Sequence, residues 1–179
     1  MEPTKPATPA AREIKHYWED LVPGTMRELG SVTPTAEETI AFARQFDPQP
    51  FHLDEEAAKA SLFGSLSASG WHTCAMAMRL MVDNFLVDSS SLGSPGLENI
   101  KWLKPVHPGD TLSLRHHIIE SRPLASKPHV GLVRTKWEMR NQHGDQVLHM
   151  EGFSMFRRRH AADSTADTGE AAPKDNQAH

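Results

Sequence analysis

The chain has 179 residues, of which 38% are hydrophobic and 23% are charged, and its formal net charge is −4. This length suits one domain with a substantial core, and the acidic balance argues against nucleic acid as a general partner. A lone cysteine excludes an internal disulfide framework, and with no leader or membrane-spanning run in the sequence we expect a soluble cytoplasmic protein.

Both ends of the chain lack the apolar periodicity of a folded segment. Residues 1–16 are rich in Pro, Ala and Thr, and residues 160–179 contain no Leu, Ile, Val or aromatic residue. Such segments cannot bury enough apolar surface to offset the entropy lost on ordering. We therefore predict flexible tails at 1–16 and 160–179 and a single domain at 17–159.

A short strand is predicted at 28–33, followed by a helix that begins with a capping box. Thr35 stands three residues before Glu38, which is the spacing of that motif. The helix should end at Asp47, because α conformation is unfavourable for a residue that precedes proline. Asp54 can then cap a further short helix at 55–60.

The strongest helical signal in the chain covers residues 71–87. Apolar residues occupy most of the predicted circumference, which is typical of a helix buried on nearly all sides. Those at helical spacing include Cys74, Met78, Met81 and Phe85. Core packing explains the sulfur-containing side chains without any redox role.

The second half of the chain has the pattern of β-strands. We predict a loop at 89–96 (SSSLGSPG), strands at 99–106, 111–120, 133–140 and 147–156, and a hairpin turn at 141–145. The histidines on these strands, including His116 and His117, are interpreted as surface or partly buried residues. Helices followed by antiparallel strands predict an α+β fold, in which a curved sheet wraps one long buried helix.

The stretch DPQPFHLD, residues 47–54, places a carboxylate and an imidazole close together. Asp47 and His52 can share the two halves of a proton transfer, and the prolines restrict the backbone between them. Spacing alone leaves a second interpretation open, namely a polar surface turn.

A second candidate feature, SASGWH (residues 67–72), lies directly before the central helix. Ser67 or Ser69 can cap that helix, and Gly70 would present an unobstructed backbone N–H at the positive end of the helix dipole. Such a donor can stabilise an enolate or a thioester oxyanion. An ordinary N-cap with a closely packed glycine is the alternative.

Taken together, these two features resemble a known family. The segment FARQFDPQPFHLDEEAAKASLFGSLSASGW is similar to the hydratase motif of the MaoC-like family, which contains the (R)-specific enoyl-CoA hydratases of hot-dog fold. The later segment IKWLKPVHPGDTL resembles the strand and Pro-Gly-Asp turn of that family, so the likeness covers roughly residues 17–159.

The resemblance implies an activity and roles for three residues. Asp47 and His52 would activate water and handle the proton at C2 of a trans-2-enoyl thioester, and the Gly70 N–H would bind the thioester oxygen. The product is a 3-hydroxyacyl thioester, and dehydration is the reverse reaction. No metal or redox cofactor is implied, since coenzyme A or acyl carrier protein is part of the substrate. The family likeness also implies a homodimer or a higher homo-oligomer.

The chain departs from the family pattern at four positions. Gln49 replaces the usual Asn, and Ser69 and Trp71 flank Gly70 where His and Met are common. Met78 stands where a helix serine can assist the catalytic hydrogen bonds. These changes leave the acid/base pair intact and the substrate open.

Two other functions remain compatible with the sequence. A hot-dog thioesterase would need an acid on the central helix, where Asp83 is the candidate. A non-catalytic subunit that only binds an acyl thioester is the second alternative.

The basic residues that could meet coenzyme A phosphates are Lys101, Lys104, Lys127 and Arg134.

Overall fold

The structure is a computed structural model that describes residues 13–160. Most of both predicted tails therefore lies outside the described residues. Within them, the backbone of Lys15 and His16 donates hydrogen bonds to the carbonyl of Asp88. No helix in this part of the chain combines the length and apolar character needed to cross a bilayer.

Four helices and five strands make up the domain, joined by turns and two short 3₁₀ segments. The helices are α1 (Ala36–Phe46), α2 (Pro50–Leu53), α3 (Glu55–Lys59) and α4 (Gly70–Asn84). The strands are β1 (Met26–Val32), β2 (Ser91–Trp102), β3 (Leu112–Pro123), β4 (Val130–Arg140) and β5 (Gln146–Arg157). All strands belong to one antiparallel sheet with the order β1-β3-β4-β5-β2.

The core lies between the sheet and one side of α4. Alternate residues of β4 are buried, as predicted, and they include Val133, Trp137 and Met139. The inward side chains of α4 that join them in one cluster are Met76, Ala77, Leu80 and Met81. The predicted arrangement of one long helix on an antiparallel sheet is therefore confirmed.

The expectation that α4 is buried around most of its circumference is wrong. Trp71, Met78 and Val82 lie on an exposed face, although all three are large and apolar. The buried stripe instead includes the polar residue His72, which stacks on Phe42 at a centroid distance of 4.7 Å. Composition alone could not distinguish a helix covered on all sides from one covered by a single sheet.

The predicted loop at 89–96 is also wrong, because β2 begins at Ser91. It pairs with β5 at the edge of the sheet, and the pairing is interrupted by irregularities near Gly93 and Gly96. Both glycines have positive φ angles, of 100° and 142°. Edge strands tolerate proline and glycine at such irregularities, so a composition typical of a loop can still form a strand. The strand ends at Trp102 rather than continuing to 106.

His116 also differs from expectation, since it is 2% exposed rather than at the surface or partly buried. It lies between Leu114 and Ile118 on the inward face of β3, where every second residue from Leu112 to Ile118 is buried. Side chains alternate between the two faces of a strand, so His116 shares the buried face with Leu114 and Ile118.

Replacement of a core leucine should be far more costly than replacement of an exposed one. Leu112 is 0% exposed and Leu62 is 104% exposed. We expect Leu112→Ala to lower the free energy of unfolding by about 2–5 kcal/mol, because it removes buried methyl groups and leaves a cavity. Leu62→Ala should change it by less than about 0.5 kcal/mol. Urea unfolding of the two variants measures the difference, and equal effects would contradict this description of the core.

Candidate active site

Asp47 is positioned by the end of α1. The capping box predicted at the start of this helix is present, with the Thr35 hydroxyl accepting the Glu38 N–H and the Glu38 carboxylate accepting the Thr35 N–H. The helix ends at Phe46, and the Asp47 N–H still donates to the Ala43 carbonyl at 2.9 Å. Pro48 disfavours α conformation at Asp47, so the backbone turns away from the helix axis at this residue.

His52 lies on the short helix α2, which begins with Pro50 in the first turn. Its imidazole is buried, and Nδ1 lies 2.8 Å from the Ser67 carbonyl oxygen. Because a carbonyl oxygen only accepts hydrogen bonds, Nδ1 must carry a proton. In the neutral ring the lone pair is then on Nε2. Asp54 follows α2 and caps α3 by accepting the Ala57 N–H at 2.9 Å, as predicted.

The carboxylate of Asp47 and the imidazole of His52 face each other. Asp47 Oδ2 lies 3.6 Å from His52 Nε2, and the Asp47 side chain is 19% exposed. Two neutral donors hold the carboxylate: the Ser69 hydroxyl donates to Oδ2 at 2.6 Å, and the Gln49 amide donates to Oδ1 at 2.8 Å. The Ser69 oxygen also accepts the Trp71 N–H at 3.2 Å, so it caps α4 as well.

Gly70 is the first residue of α4 and lies against Trp102. The Trp102 indole N–H donates to the Gly70 carbonyl at 2.8 Å. A Cβ atom on Gly70 would lie 2.5 Å from the Trp102 ring, closer than real Cβ contacts occur. Among the described residues, the Gly70 N–H donates to no acceptor. It is therefore a free donor at the positive end of a 15-residue helix.

Asp47, His52 and Gly70 all line one cavity of about 470 Å³. Its apolar wall includes four aromatic side chains, Phe51, Phe63, Trp71 and Trp102. Trp71 and Trp102 meet edge to face, with ring centroids 5.3 Å apart. The cavity thus combines an apolar wall with a small number of convergent polar groups, which is the usual composition of a small-molecule site.

The pKa of the Asp47 carboxyl lies below its ordinary value. The hydrogen bond from Ser69 is the main cause; burial opposes it, while the Gln49 amide and the charge of His52 lower the pKa further. Asp47 is therefore ionised at neutral pH. Because the folded-state pKa is lower than the unfolded-state pKa, the ionised Asp47 carboxylate stabilises the folded protein. This contribution is present above the unfolded-state pKa and is lost as the pH falls through the folded-state pKa.

The family of the chain follows from comparison with known proteins. A family described as "MaoC like domain" matches residues 21–138, about two thirds of the chain. The chain belongs to this MaoC-like family. The resemblance expected from the sequence is confirmed, and so is the α+β hot-dog fold.

Solved structures and a curated relative agree with this assignment. The MaoC-like dehydratase from Rhodospirillum rubrum is 39% identical, and the match covers 79% of this chain and 97% of that chain with a TM-score of 0.74. R-hydratase PhaJ1 from Pseudomonas aeruginosa shares the fold, with 21% identity, a TM-score of 0.63 and coverage of 90% and 96%. Protein MaoC from Klebsiella aerogenes is 30% identical over 57% of this chain, which spans only 30% of that longer protein.

The three predicted site residues lie together in this cavity, whereas most of the other residues considered for the site lie outside it. Asp83 pairs with Arg79 on the exposed side of α4 and does not line the cavity. Met78 lies farther along α4, outside the cavity. Of the basic candidates only Lys104 lines it, paired with Asp145 at 2.8 Å, whereas Arg134 is bound by three glutamates.

Sequence reasoning missed the support that Ser69 and Gln49 give to Asp47. The sequence indicates a helix cap and a departure from the family at Ser69, and only a departure at Gln49. Both side chains bind the same carboxylate from opposite sides. No local sequence pattern indicates the hydrogen bond from Ser69, because Ser69 is 22 residues from Asp47.

Removal of the Ser69 hydroxyl should raise the pKa of Asp47 toward its ordinary value. This hydroxyl is the largest cause of the depression, and Ala cannot replace it. Titration of the Asp47 carboxyl carbon by NMR in Ser69→Ala measures the change. Loss of the cap should also cost about 1 kcal/mol of stability. Thr35→Ala is the matched control, because it removes the cap of α1 but should leave the Asp47 pKa unchanged. An Asp47 pKa that stays at the wild-type value in Ser69→Ala would disprove the assignment.

Proposed function

We propose that the MaoC-like domain hydrates a trans-2-enoyl thioester to a 3-hydroxyacyl thioester and catalyses the reverse dehydration. The observation that carries this proposal is the arrangement of three groups in one cavity. An ionised carboxylate and an imidazole that carries a proton on Nδ1 face each other at 3.6 Å, and a free N–H begins the adjacent helix. Acid/base chemistry beside a polarised carbonyl requires these three groups.

In the proposed mechanism the thioester oxygen accepts a hydrogen bond from the Gly70 N–H. Water lies between Asp47 Oδ2 and His52 Nε2, and its oxygen attacks C3 as one O–H bond breaks. The C2=C3 π electrons move to C2 and toward the thioester oxygen, where the helix dipole stabilises the developing charge. The Asp47–His52 pair takes one proton from the water and returns one proton to C2, so the protein ends each cycle unchanged.

The substrate class and the absence of a cofactor are parts of the same proposal. The thioester carbonyl serves as the electron sink, so the reaction needs no metal or redox group. Coenzyme A or acyl carrier protein enters only as part of the substrate, and Lys104 at the cavity wall is the nearest candidate for contact with a phosphate. A cytoplasmic location is part of the same proposal.

A panel of trans-2-enoyl-CoA substrates of increasing chain length tests the function directly. We expect wild-type protein to abolish the absorbance of the conjugated enoyl group and to form the 3-hydroxyacyl-CoA. Release of free thiol from saturated acyl-CoA would instead support a thioesterase. Binding without turnover on any chain length would support the non-catalytic subunit. Either of these results would overturn the proposed reaction.

We also propose that the domain forms a homodimer through β2 and the exposed face of α4. β2 is an edge strand of the sheet, and its unpaired backbone groups can pair with the same strand of a second copy. The exposed apolar residues next to this edge come from α4 and from β2 itself: Trp71, Met78, Val82, Leu92 and Leu97. An apolar face beside an open edge strand suits a self-complementary interface.

A charged residue on this face should dissociate the dimer. We expect wild-type protein to sediment as a dimer and Val82→Glu to sediment as a monomer, because a buried unpaired carboxylate is costly. Val22→Glu is the matched control, since Val22 is exposed away from this face. Analytical ultracentrifugation of the three proteins decides the question. A Val82→Glu protein that remains dimeric would place the interface elsewhere.

A further inference from the structure

The peptide group between Ser67 and Ala68 is fixed at both of its polar atoms. Its carbonyl oxygen, on Ser67, lies 2.8 Å from His52 Nδ1 and orients the imidazole. Its N–H, on Ala68, donates to the Val106 carbonyl at 2.8 Å. Ala68 and Val106 are both buried. The orientation of the His52 ring therefore depends on how the backbone at this point is held against residues 106 and 107.

The preceding peptide group is held by a side chain, that of His107. Its Nδ1 lies 2.9 Å from the Leu66 carbonyl oxygen and 3.1 Å from the Ser65 hydroxyl. Because a carbonyl oxygen only accepts hydrogen bonds, Nδ1 carries a proton and donates it to Leu66. Leu66 is 6% exposed and directly precedes Ser67. The imidazole of His107 thus fixes the peptide group that leads into the site.

His107 is presented by a turn that Asp110 closes. Asp110 Oδ2 accepts the His107 N–H at 2.8 Å, and the Asp110 N–H donates to the His107 carbonyl at 3.1 Å. The other carboxylate oxygen accepts the side-chain amide of Gln142, from the hairpin between β4 and β5, at 2.8 Å. Both backbone polar groups of His107 are therefore bonded, and its ring extends from a turn that is tied to the sheet.

We propose that His107 is a positioning residue for the hydratase reaction and that it acts through Leu66 on the segment Ser67–Gly70. This role rests on the proposed function. His107 is not among the described residues that line the catalytic cavity, so it acts through the backbone rather than on the substrate. The segment bonds the His52 ring and the Asp47 carboxylate and supplies the free N–H. Because the backbone is continuous, a shift of the Leu66 carbonyl displaces these groups.

Two substitutions at His107 separate its hydrogen bond from its bulk. His107→Asn keeps an N–H donor near the position of Nδ1, whereas His107→Leu keeps a side chain of moderate size without a donor. We expect His107→Leu to lower kcat about tenfold to a hundredfold with little change in KM, because small displacements of catalytic groups have effects of this size. His107→Asn should recover most of the lost rate. Equal rates in the two variants, compared per folded molecule, would overturn the proposal.

The matched control is His129→Leu. His129 is an exposed histidine in the loop between β3 and β4. The same substitution at this position should leave the rate of hydration at the wild-type value. A loss in His129→Leu as large as that in His107→Leu would contradict a specific role for His107.

NMR tests the same role without relying on turnover. The ring proton on His52 Nδ1 and the backbone amide of Gly70 report on the positions of these two groups. We expect both resonances to move in His107→Leu and to lie near their wild-type positions in His107→Asn. Unchanged resonances in His107→Leu would overturn the proposal, even in a protein that hydrates enoyl-CoA. Shifted resonances in a protein whose wild type hydrates no enoyl-CoA would refute the proposed function and still support the link from His107 to His52.

A measurement on wild-type protein covers the case in which His107→Leu does not fold. ¹⁵N NMR distinguishes a neutral imidazole with its proton on Nδ1 from one with its proton on Nε2. We expect the neutral His107 ring to carry the proton on Nδ1, because only this form donates to the Leu66 carbonyl. A proton on Nε2 instead would exclude the hydrogen bond and overturn the proposal.

Discussion

Asp47→Asn should lower the rate of enoyl-CoA hydration about a thousandfold, which is within the range that a single general acid or base contributes. Asn has nearly the shape of Asp and can still accept the Ser69 hydroxyl, so the cavity should keep its form. It has no negative charge and cannot take a proton from water. We therefore expect the loss in kcat rather than in KM. The measurement is the initial rate of absorbance loss at saturating substrate.

Asp83→Asn is the control for this variant, because Asp83 is an exposed carboxylate on α4 that pairs with Arg79. It should hydrate the substrate at the wild-type rate. His52→Gln should be as impaired as Asp47→Asn, and the double variant should be little worse than either single one, since the two groups act as a unit. Wild-type activity in both single variants would rule out the proposed acid/base pair.

Gly70→Ala should reduce hydration at least about a hundredfold, because a small displacement of a catalytic group has effects of this size. The added methyl group would overlap the indole of Trp102, 2.5 Å away, so either the indole or the start of α4 must move. Overpacking of this kind also costs about 1–3 kcal/mol of stability. The backbone of Gly70 is not strained, since its φ angle is not among the positive ones. The expected damage is steric.

A second substitution separates the clash from other causes. Trp102→Ala removes the ring that the new methyl group would meet. We expect the Gly70→Ala, Trp102→Ala double variant to reach the rate of Trp102→Ala alone, and both to exceed Gly70→Ala. If the double variant is no more active than Gly70→Ala while Trp102→Ala is active, the methyl group obstructs the substrate directly and the proposed cause is wrong.

The parts of the fold and site that sequence predicted well are set by local chemistry. Thr35 and Glu38 cap α1 through bonds within one turn, and Pro48 ends it. Asp47 and His52 converge because only a short, proline-restricted segment separates them. Gly70 is placed by the start of α4. Each of these features depends on residues close together in the chain.

The parts that sequence missed depend on partners far along the chain. β2 is a strand because β5 pairs with it, although its Ser, Gly and Pro content is typical of a loop. Trp71 is exposed because the sheet covers only the opposite side of α4. His116 is buried by its strand position, in spite of its polarity. Such tertiary contacts override local preference.

The segment Ser67–Gly70 has a consequence for how the site can vary. The Ser67 carbonyl holds the imidazole, the Ser69 hydroxyl holds the carboxylate, and Gly70 supplies the free N–H, so four consecutive residues fix all three reacting groups. Asp47 and His52 belong to other segments, and their hydrogen bonds to this tetrapeptide tie the positions of both side chains to that of Gly70. The aromatic wall comes from other segments. A substitution at Phe51 or Phe63 should therefore shift the imidazole as well as reshape the cavity, because the centroids of these rings lie 4.6 Å and 5.9 Å from that of the His52 ring.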